Sequence, residues 1–498
     1  MIRLLLAVSA AAVALPAFAQ DAAPASDKKP EQPIPPPRVS VTRHSGTFGG
    51  ARVAFTATAG ETYLKAEDGT PKASIFSTAY VKEGRDPNRP VTFLFNGGPG
   101  SGSVWLHMGA FGPKRVAIPS DARDDGAPPF PIVDNPDSLL DVTDIVFIDP
   151  VGTGFSHALG KTDPKDSWGV TQDAKSVAEF IRIWLNENGR WNSPKFLGGE
   201  SYGTTRSAAV VNQLEGQFND VSLNGIILSS TILDFGAQAG VPGNEMPYVL
   251  SLPSMAAAAY HHGKAPADAG TLEAFVEEAR RFAIGDYASA LLQGQALKGE
   301  RRADIRRRLA RFTGLSEQGL EEADLRVSDS RFYTELLRDR GLTVGRLDAR
   351  YTGRDYDNAG EEPDNDPSFY GIDAGYTAAI NSWVRDGLKF NTERQYTTIG
   401  PVGDWDWNLG GGEGKYYKNV APYLAKAMRE NSGMRVFVGQ GYFDFATPFF
   451  GAEYALSRTG VPADRVQFAY YGSGHMMYVR DEDREKLSRD IRAFIRSR

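Results

Sequence analysis

Residues 195–211, KFLGGESYGTTRSAAVV, constrain this chain more than any other stretch, because they prescribe a buried strand, a tight turn and a helix in that order. Within them Gly199-Glu200-Ser201-Tyr202-Gly203 fits G-x-S-x-G, where the flanking glycines permit a strand-to-helix turn at which other side chains would collide with neighbouring backbone. The Ser201 hydroxyl is then held out above the sheet. The helix that follows aims its unpaired N–H groups and positive dipole end at that hydroxyl, where negative charge develops during acyl transfer. In a chain with 53 glycines the five-residue pattern alone carries little weight. Its setting between strand and helix, and the order of the groups that follow, give it weight.

A serine hydroxyl needs an imidazole to accept its proton, so the six histidines can be weighed one by one. His44 lies near the N-terminal tether, His107 falls in a helical stretch, and His261 and His262 lie in a region read below as a cap. His475 stands in Gly472-Ser473-Gly474-His475, a loop directly after a strand-like run, and suits a general base. Upstream, Asp444 also follows a strand-like run and sits among phenylalanines, where a carboxylate requires a partner. The order Ser201, Asp444, His475 is the one used on doubly wound hydrolase sheets. A second serine beside a histidine, Ser156-His157, lacks a following helix, and residues 152–157 read as a pocket-lining loop. Asn96-Gly97-Gly98-Pro99-Gly100 follows another strand, and its glycines let the backbone turn N–H groups toward a substrate oxygen. Gly98 and Tyr202 are the expected oxyanion donors. The Lys-Ser/Thr ending of a phosphate-binding loop is absent, and no metal or nucleotide signature calls for a cofactor.

The chain opens with Arg3, an apolar run over 4–17 and Ala17-Phe18-Ala19, the pattern of a signal peptide over 1–19 that directs export to the periplasm or beyond. The apolar run is too short to span a bilayer, and no later one is long enough. With no cysteine the chain has no disulfide or thiol chemistry, and its net charge of −7 argues against a nucleic-acid partner. Residues 20–42, ending in a proline run and its flank, read as an extended tether.

From 43 to 234 the pattern is of strands and helices in alternation. Antiparallel strands open it, with a hairpin signal at Glu67-Asp68-Gly69-Thr70, and near-continuous apolar runs at 91–95 and 144–148 mark strands covered on both faces. A helical period over 170–188 crosses back to the strand before Ser201. Residues 235–398 turn Ala-, Arg- and Glu-rich and read as an inserted, mainly helical cap. Strand patterns return over 399–498 at 434–438 and 466–471, and a charged amphipathic helix closes the chain over 481–496. The expected fold is α/β, a doubly wound and mostly parallel sheet whose active groups collect at the strand carboxyl ends.

These segments together resemble the serine carboxypeptidase family: NGGPGSGS from Asn96, DPVGTGFS from Asp149, GGESYG from Gly198, GYFDFATP from Gly441 and GSGHMM from Gly472. The resemblance runs from about residue 91 to the end and is weakest in the cap. It implies an α/β-hydrolase fold, a Ser201–Asp444–His475 triad, and binding of the substrate's terminal carboxylate by Asn96, Gly97 and Glu200. It also implies peptide or protein C-termini as substrates. Three positions depart from the family pattern: Ser101 replaces a disulfide cysteine, Tyr478 a proline, and Ala110 a second glutamate. Without that like-charge partner Glu200 is expected to ionise more readily. An esterase or acyltransferase on the same scaffold is the alternative, since it would form the same acyl-enzyme.

Overall fold

A computed structural model describes residues 33–84, 86–216, 218–409 and 417–497, and Pro36–Arg498 forms one compact unit. The expected signal peptide, and the tether up to residue 32, lie outside the described residues.

Strands β1 (Val39–Phe48), β2 (Ala51–Lys65) and β3 (Pro71–Lys82) form an antiparallel meander, with the β2–β3 turn at the expected hairpin signal. β4 (Val91–Phe95), β5 (Asp144–Ile148), β7 (Lys195–Ser201), β8 (Gly225–Thr231), β9 (Arg435–Gly441) and β10 (Val466–Tyr471) continue the sheet, and the two-residue β6 (His157–Ala158) pairs with β3. The order is β1-β2-β3-β5-β4-β7-β8-β9-β10. From β5 onward every pairing along this order is parallel. This is the order of an α/β-hydrolase sheet, with Ser201 ending a central strand. β1 starts inside the span expected as tether: the proline run ends at Pro37, and Val39 to Thr42 pair with Gly60 to Ala57.

Alternation along each strand divides the core between two faces. Phe93, Phe95 and Leu197 point to one, where α1 (Val170–Glu187) lays down Val177, Ile181 and Trp184 and α2 (Tyr202–Leu214) adds Val210 and Val211. Leu94 and Phe196 point to the other, which carries Phe55, Tyr80 and Phe147.

The segment expected as a cap divides by its packing. Helices α3 (Met246–His261), α4 (Leu272–Phe282) and α5 (Gly299–Thr313) build a separate core from Leu252, Phe275, Phe282 and Phe312, joined by Phe443 and Phe449. By contrast α6 (Asp373–Ser382) and the turn after it send Tyr376, Ile380 and Trp383 into the core on the Leu94 face. The closing helix α7 (Asp481–Arg496) adds Leu487, Ile491 and Phe494 to that same core.

Candidate active site

Ser201 ends β7 with φ 61° and ψ −131°, a conformation that costs an L-residue energy, and α2 begins at the next residue. The turn can be this tight because Gly199 and Gly203 carry no side chains. A Cβ on Gly199 would run into the Gly203 carbonyl, and one on Gly203 would come within 2.9 Å of the Phe95 carbonyl oxygen. The glycine loop after β4 closes on the same point, since a Cβ on Gly97 would lie 2.5 Å from the Tyr202 nitrogen. As the first residue of α2, Tyr202 has an N–H with no partner in its own helix, the kind of group an oxyanion site requires.

The loops after β9 and β10 bring Asp444 to His475. Asp444 is fully buried, and its Oδ2 lies 2.8 Å from His475 Nδ1. Thr447 steadies the carboxylate from its backbone N–H at 2.9 Å and from its hydroxyl at 2.6 Å. His475 is anchored through its backbone as well, accepting from the Ser230 hydroxyl at 2.5 Å and donating to the Leu347 carbonyl at 2.6 Å. Burial works against protonation of His475, but the charge and hydrogen bond of Asp444 outweigh it and raise the imidazole pKa. With Nδ1 engaged by the carboxylate, Nε2 is the nitrogen left to act. His475 and Ser201 line one cavity of about 330 Å³, together with Asn96, Gly97, Gly98 and Glu200.

Glu200 is only 3% exposed, and its Oε1 accepts from Asn96 Nδ2 at 2.7 Å. The Asn96 amide is oriented by its other end, where Oδ1 accepts from the Leu106 N–H at 3.0 Å. Among the described residues Glu200 Oε2 has no partner in hydrogen-bond geometry, and the buried Tyr478 hydroxyl lies near enough to act on its charge. Burial dominates and raises the Glu200 carboxyl to about 7 against the opposing pull of His475. With Ala110 in place of a second glutamate, burial is the largest cause that raises the Glu200 carboxyl. A Cβ added at neighbouring Gly109 would come within 2.6 Å of both the Tyr376 hydroxyl and the Tyr478 ring, so two tyrosines pack tightly there.

Behind this front lies a support that sequence reasoning missed. Arg206 on α2 is fully buried, donates from Nε to Asp173 Oδ2 at 2.6 Å and reaches the Asn96 carbonyl through Nη1. Its guanidinium lies 5.2 Å from the centroids of both the Phe95 and Tyr202 rings. An arginine within the small and apolar run TTRSAAVV was the available signal. Thr447, in the run DFATP, offered none by itself.

The other groups weighed from sequence are engaged elsewhere. Ser156 accepts from the Phe76 N–H at 2.7 Å and donates to the Asp149 carbonyl at 2.6 Å, and residues 152–157 do not line the cavity. That loop was expected to line the pocket; instead it pairs with Thr397 through Gly154. His107 is buried against Tyr80 and Phe147, and desolvation lowers it to about 3. Among the described residues no cluster of three or more His, Asp or Glu is set to hold a metal ion, and no helix is long and apolar enough to cross a membrane.

Residues 50–256 match the family described as serine carboxypeptidase. Serine carboxypeptidase-like 13 from Arabidopsis thaliana is 28% identical over 158 residues, 31% of this chain and 35% of that protein. Serine carboxypeptidase-like 4 from the same plant is 28% identical over 163 residues, 31% and 36% respectively. The chain thus spans about a third of the length of the curated relatives it matches. Among solved structures, a peroxisomal alpha-beta-hydrolase from Saccharomyces cerevisiae is 11% identical, with a TM-score of 0.33 over 92% of this chain and 89% of that one. The matching stretch carries both the glycine loop and Ser201, so over residues 50–256 the chain is similar to the serine carboxypeptidase family, and its sheet order is that of an α/β-hydrolase fold.

Proposed function

We propose that the protein is an exported serine-type carboxypeptidase that removes the C-terminal residue of peptides through an acyl-enzyme on Ser201. The Ser201 oxygen attacks the carbonyl carbon of the last peptide bond while His475 Nε2 takes its proton. Asp444 holds the imidazole by Nδ1 and stabilises the imidazolium. Negative charge on the former carbonyl oxygen is met by the N–H groups of Gly98 and Tyr202. Collapse breaks the C–N bond, the leaving amine takes the proton from His475, and water then hydrolyses the ester by the same route.

The observation that carries this reading is the buried Glu200–Asn96 hydrogen bond beside Ser201 in one cavity. A carboxyl held near 7 can stay protonated and donate to the substrate's terminal carboxylate, where an ionised one would repel it. Asn96 and the Gly97 N–H would complete that recognition. Esters without a free carboxylate make no use of such a group.

Labelling the full-length protein with a fluorophosphonate and mapping the adduct tests the nucleophile, with Ser201 the expected site. Release of a free C-terminal amino acid from peptides, compared with turnover of simple esters, tests the reaction. Ester hydrolysis with no peptide cleavage would move the assignment to an esterase or acyltransferase. Export is supported by the Ala17-Phe18-Ala19 pattern and the absence of cysteine. Its test is the N-terminal sequence of protein recovered from the periplasm, expected to begin at Gln20; recovery only of cytosolic protein starting at Met1 would reject it.

A further inference from the structure

The cavity that holds Ser201 does not end at Ser201. A second cavity of about 680 Å³ adjoins it, and the two share Arg346 and Ala446. Asn96, Gly97 and Glu200 line only the first cavity. On the reading proposed above, on which this inference rests, the leaving residue puts its carboxylate against those three. The remaining peptide then runs the other way, past Arg346 and Ala446 and into the second cavity.

Arg346 is exposed, and its main chain is held on both sides. Its N–H donates to Asp366 Oδ1 at 3.0 Å, and its carbonyl accepts from the Phe445 N–H at 3.1 Å, next to Ala446. Its guanidinium has no ion pair or hydrogen bond among the described residues. This contrasts with its surroundings: Arg350 pairs with Asp348 at 2.6 Å and Arg326 with Glu245 at 2.7 Å. The acid that lines the first cavity with it is Asp366, which is already committed. Besides the Arg346 N–H, Asp366 accepts from the Leu347 N–H at 3.2 Å, the Ser368 N–H at 2.9 Å and the Ser368 hydroxyl at 2.5 Å. Asp329, in the second cavity, feels the Arg346 charge from beyond ion-pair distance. A cation placed on the path of the substrate, with its neighbouring acid saturated by other donors, is available to bind an anion that the substrate brings.

We propose that Arg346 is a specificity-determining residue that selects peptides with an aspartate or glutamate immediately before the scissile bond. The side chain of that residue lies beside the junction of the two cavities when its carbonyl carbon is at Ser201. The leaving residue meets different walls, Trp105, Phe369, Ile399 and Met476, which favour an apolar side chain.

The test uses N-blocked peptides ending in leucine and differing only in the penultimate residue: Glu, Gln or Lys. Release of free leucine gives kcat/KM. The wild type should favour Glu over Gln by about tenfold at low ionic strength, the scale of one charge-assisted hydrogen bond. Arg346→Gln should bring that ratio close to one while leaving the Gln peptide within about threefold of wild type, which also reports that the variant is folded. Arg346→Lys should keep part of the preference and Arg346→Glu should turn it toward the Lys peptide. A Glu/Gln ratio unchanged in Arg346→Gln overturns the proposal while the carboxypeptidase reading stands. A ratio of one in the wild type does the same. A second series with the C-terminal residue varied locates the effect: an Arg346-dependent acid preference found there, and not at the penultimate residue, overturns the placement on the acyl side. If no peptide in either series releases an amino acid, the carboxypeptidase reading fails and the specificity proposal fails with it.

Discussion

Asn96 donates to Glu200 at 2.7 Å inside the cavity that holds Ser201, and burial keeps that glutamate's pKa near 7. The sign of the resulting pH dependence follows. A carboxyl raised to about 7 is protonated below that value and can donate, and it loses that ability as pH rises through it. The ratio of rates on one peptide as free acid and as C-terminal amide should therefore be highest below neutrality and fall as pH rises through about 7. Taking the ratio cancels the titration of His475, which both substrates share. In Glu200→Gln the ratio should be nearly flat, because an amide donates without titrating. A wild-type ratio of one at every pH, unchanged in Glu200→Gln, would remove Glu200 from carboxylate binding.

Replacing Ser201 separates chemistry from strain. Ser201→Ala and Ser201→Gly should each lower kcat/KM by at least about a thousandfold, leaving only what binding and the oxyanion donors supply. At φ 61° alanine keeps the backbone strain and glycine relieves it. The glycine variant should thus be more stable than the alanine variant by about 1 kcal/mol, read from their unfolding midpoints. Equal stabilities would mean that the turn stores no strain of consequence.

Asp444→Asn should lower kcat by about a thousandfold or more, since an amide cannot fix the same imidazole tautomer or stabilise the imidazolium. Its pH profile carries a further signature. Asp444 raises the pKa of His475 against the effect of burial, and a general base works above its pKa. Removing the charge should move the acidic limb of the kcat/KM profile to lower pH, below a much reduced plateau. A variant with wild-type turnover, or a limb shifted upward, contradicts the assignment.

Ser156→Ala should behave in the opposite manner to Ser201→Ala. Its hydroxyl bridges the Phe76 N–H and the Asp149 carbonyl, so its loss leaves buried backbone groups unpaired at a cost of about 1–3 kcal/mol. Peptide turnover per folded molecule should stay within about twofold of wild type, because the residue does not line the cavity. A large loss of kcat with unchanged stability would reopen Ser156 as the nucleophile.

The sequence by itself determined the parts whose cause is local. Alternating and continuous apolar runs placed the central strands, because each strand face must be covered. The Gly199–Gly203 spacing announced the turn at Ser201, because only missing side chains allow backbone to approach that closely. The relative order of Ser201, Asp444 and His475 singled out three residues that are now seen to end or follow β7, β9 and β10. Boundaries set by pairing were less legible. Val39 joins the sheet because of its partner Gly60, and nothing within 39–42 reports that partner.

Only the tertiary structure decided what depends on surroundings assembled from distant segments. The state of Glu200 is one such property: the sequence shows only that Ala110 removes a like-charge partner, while the burial that raises its pKa comes from the assembled site around Asn96 and Tyr478. The division of 235–398 between a separate helical core and the sheet core is another, since it depends on which distant residues each helix meets. Arg206 and Arg346 are the sharpest contrast. Both are arginines in the sequence, yet one is buried and paired with Asp173 while the other, at the junction of two cavities, has no ion pair among the described residues. A side chain's type fixes the charge it can carry, and the fold decides whether that charge is neutralised within the protein or left for a substrate.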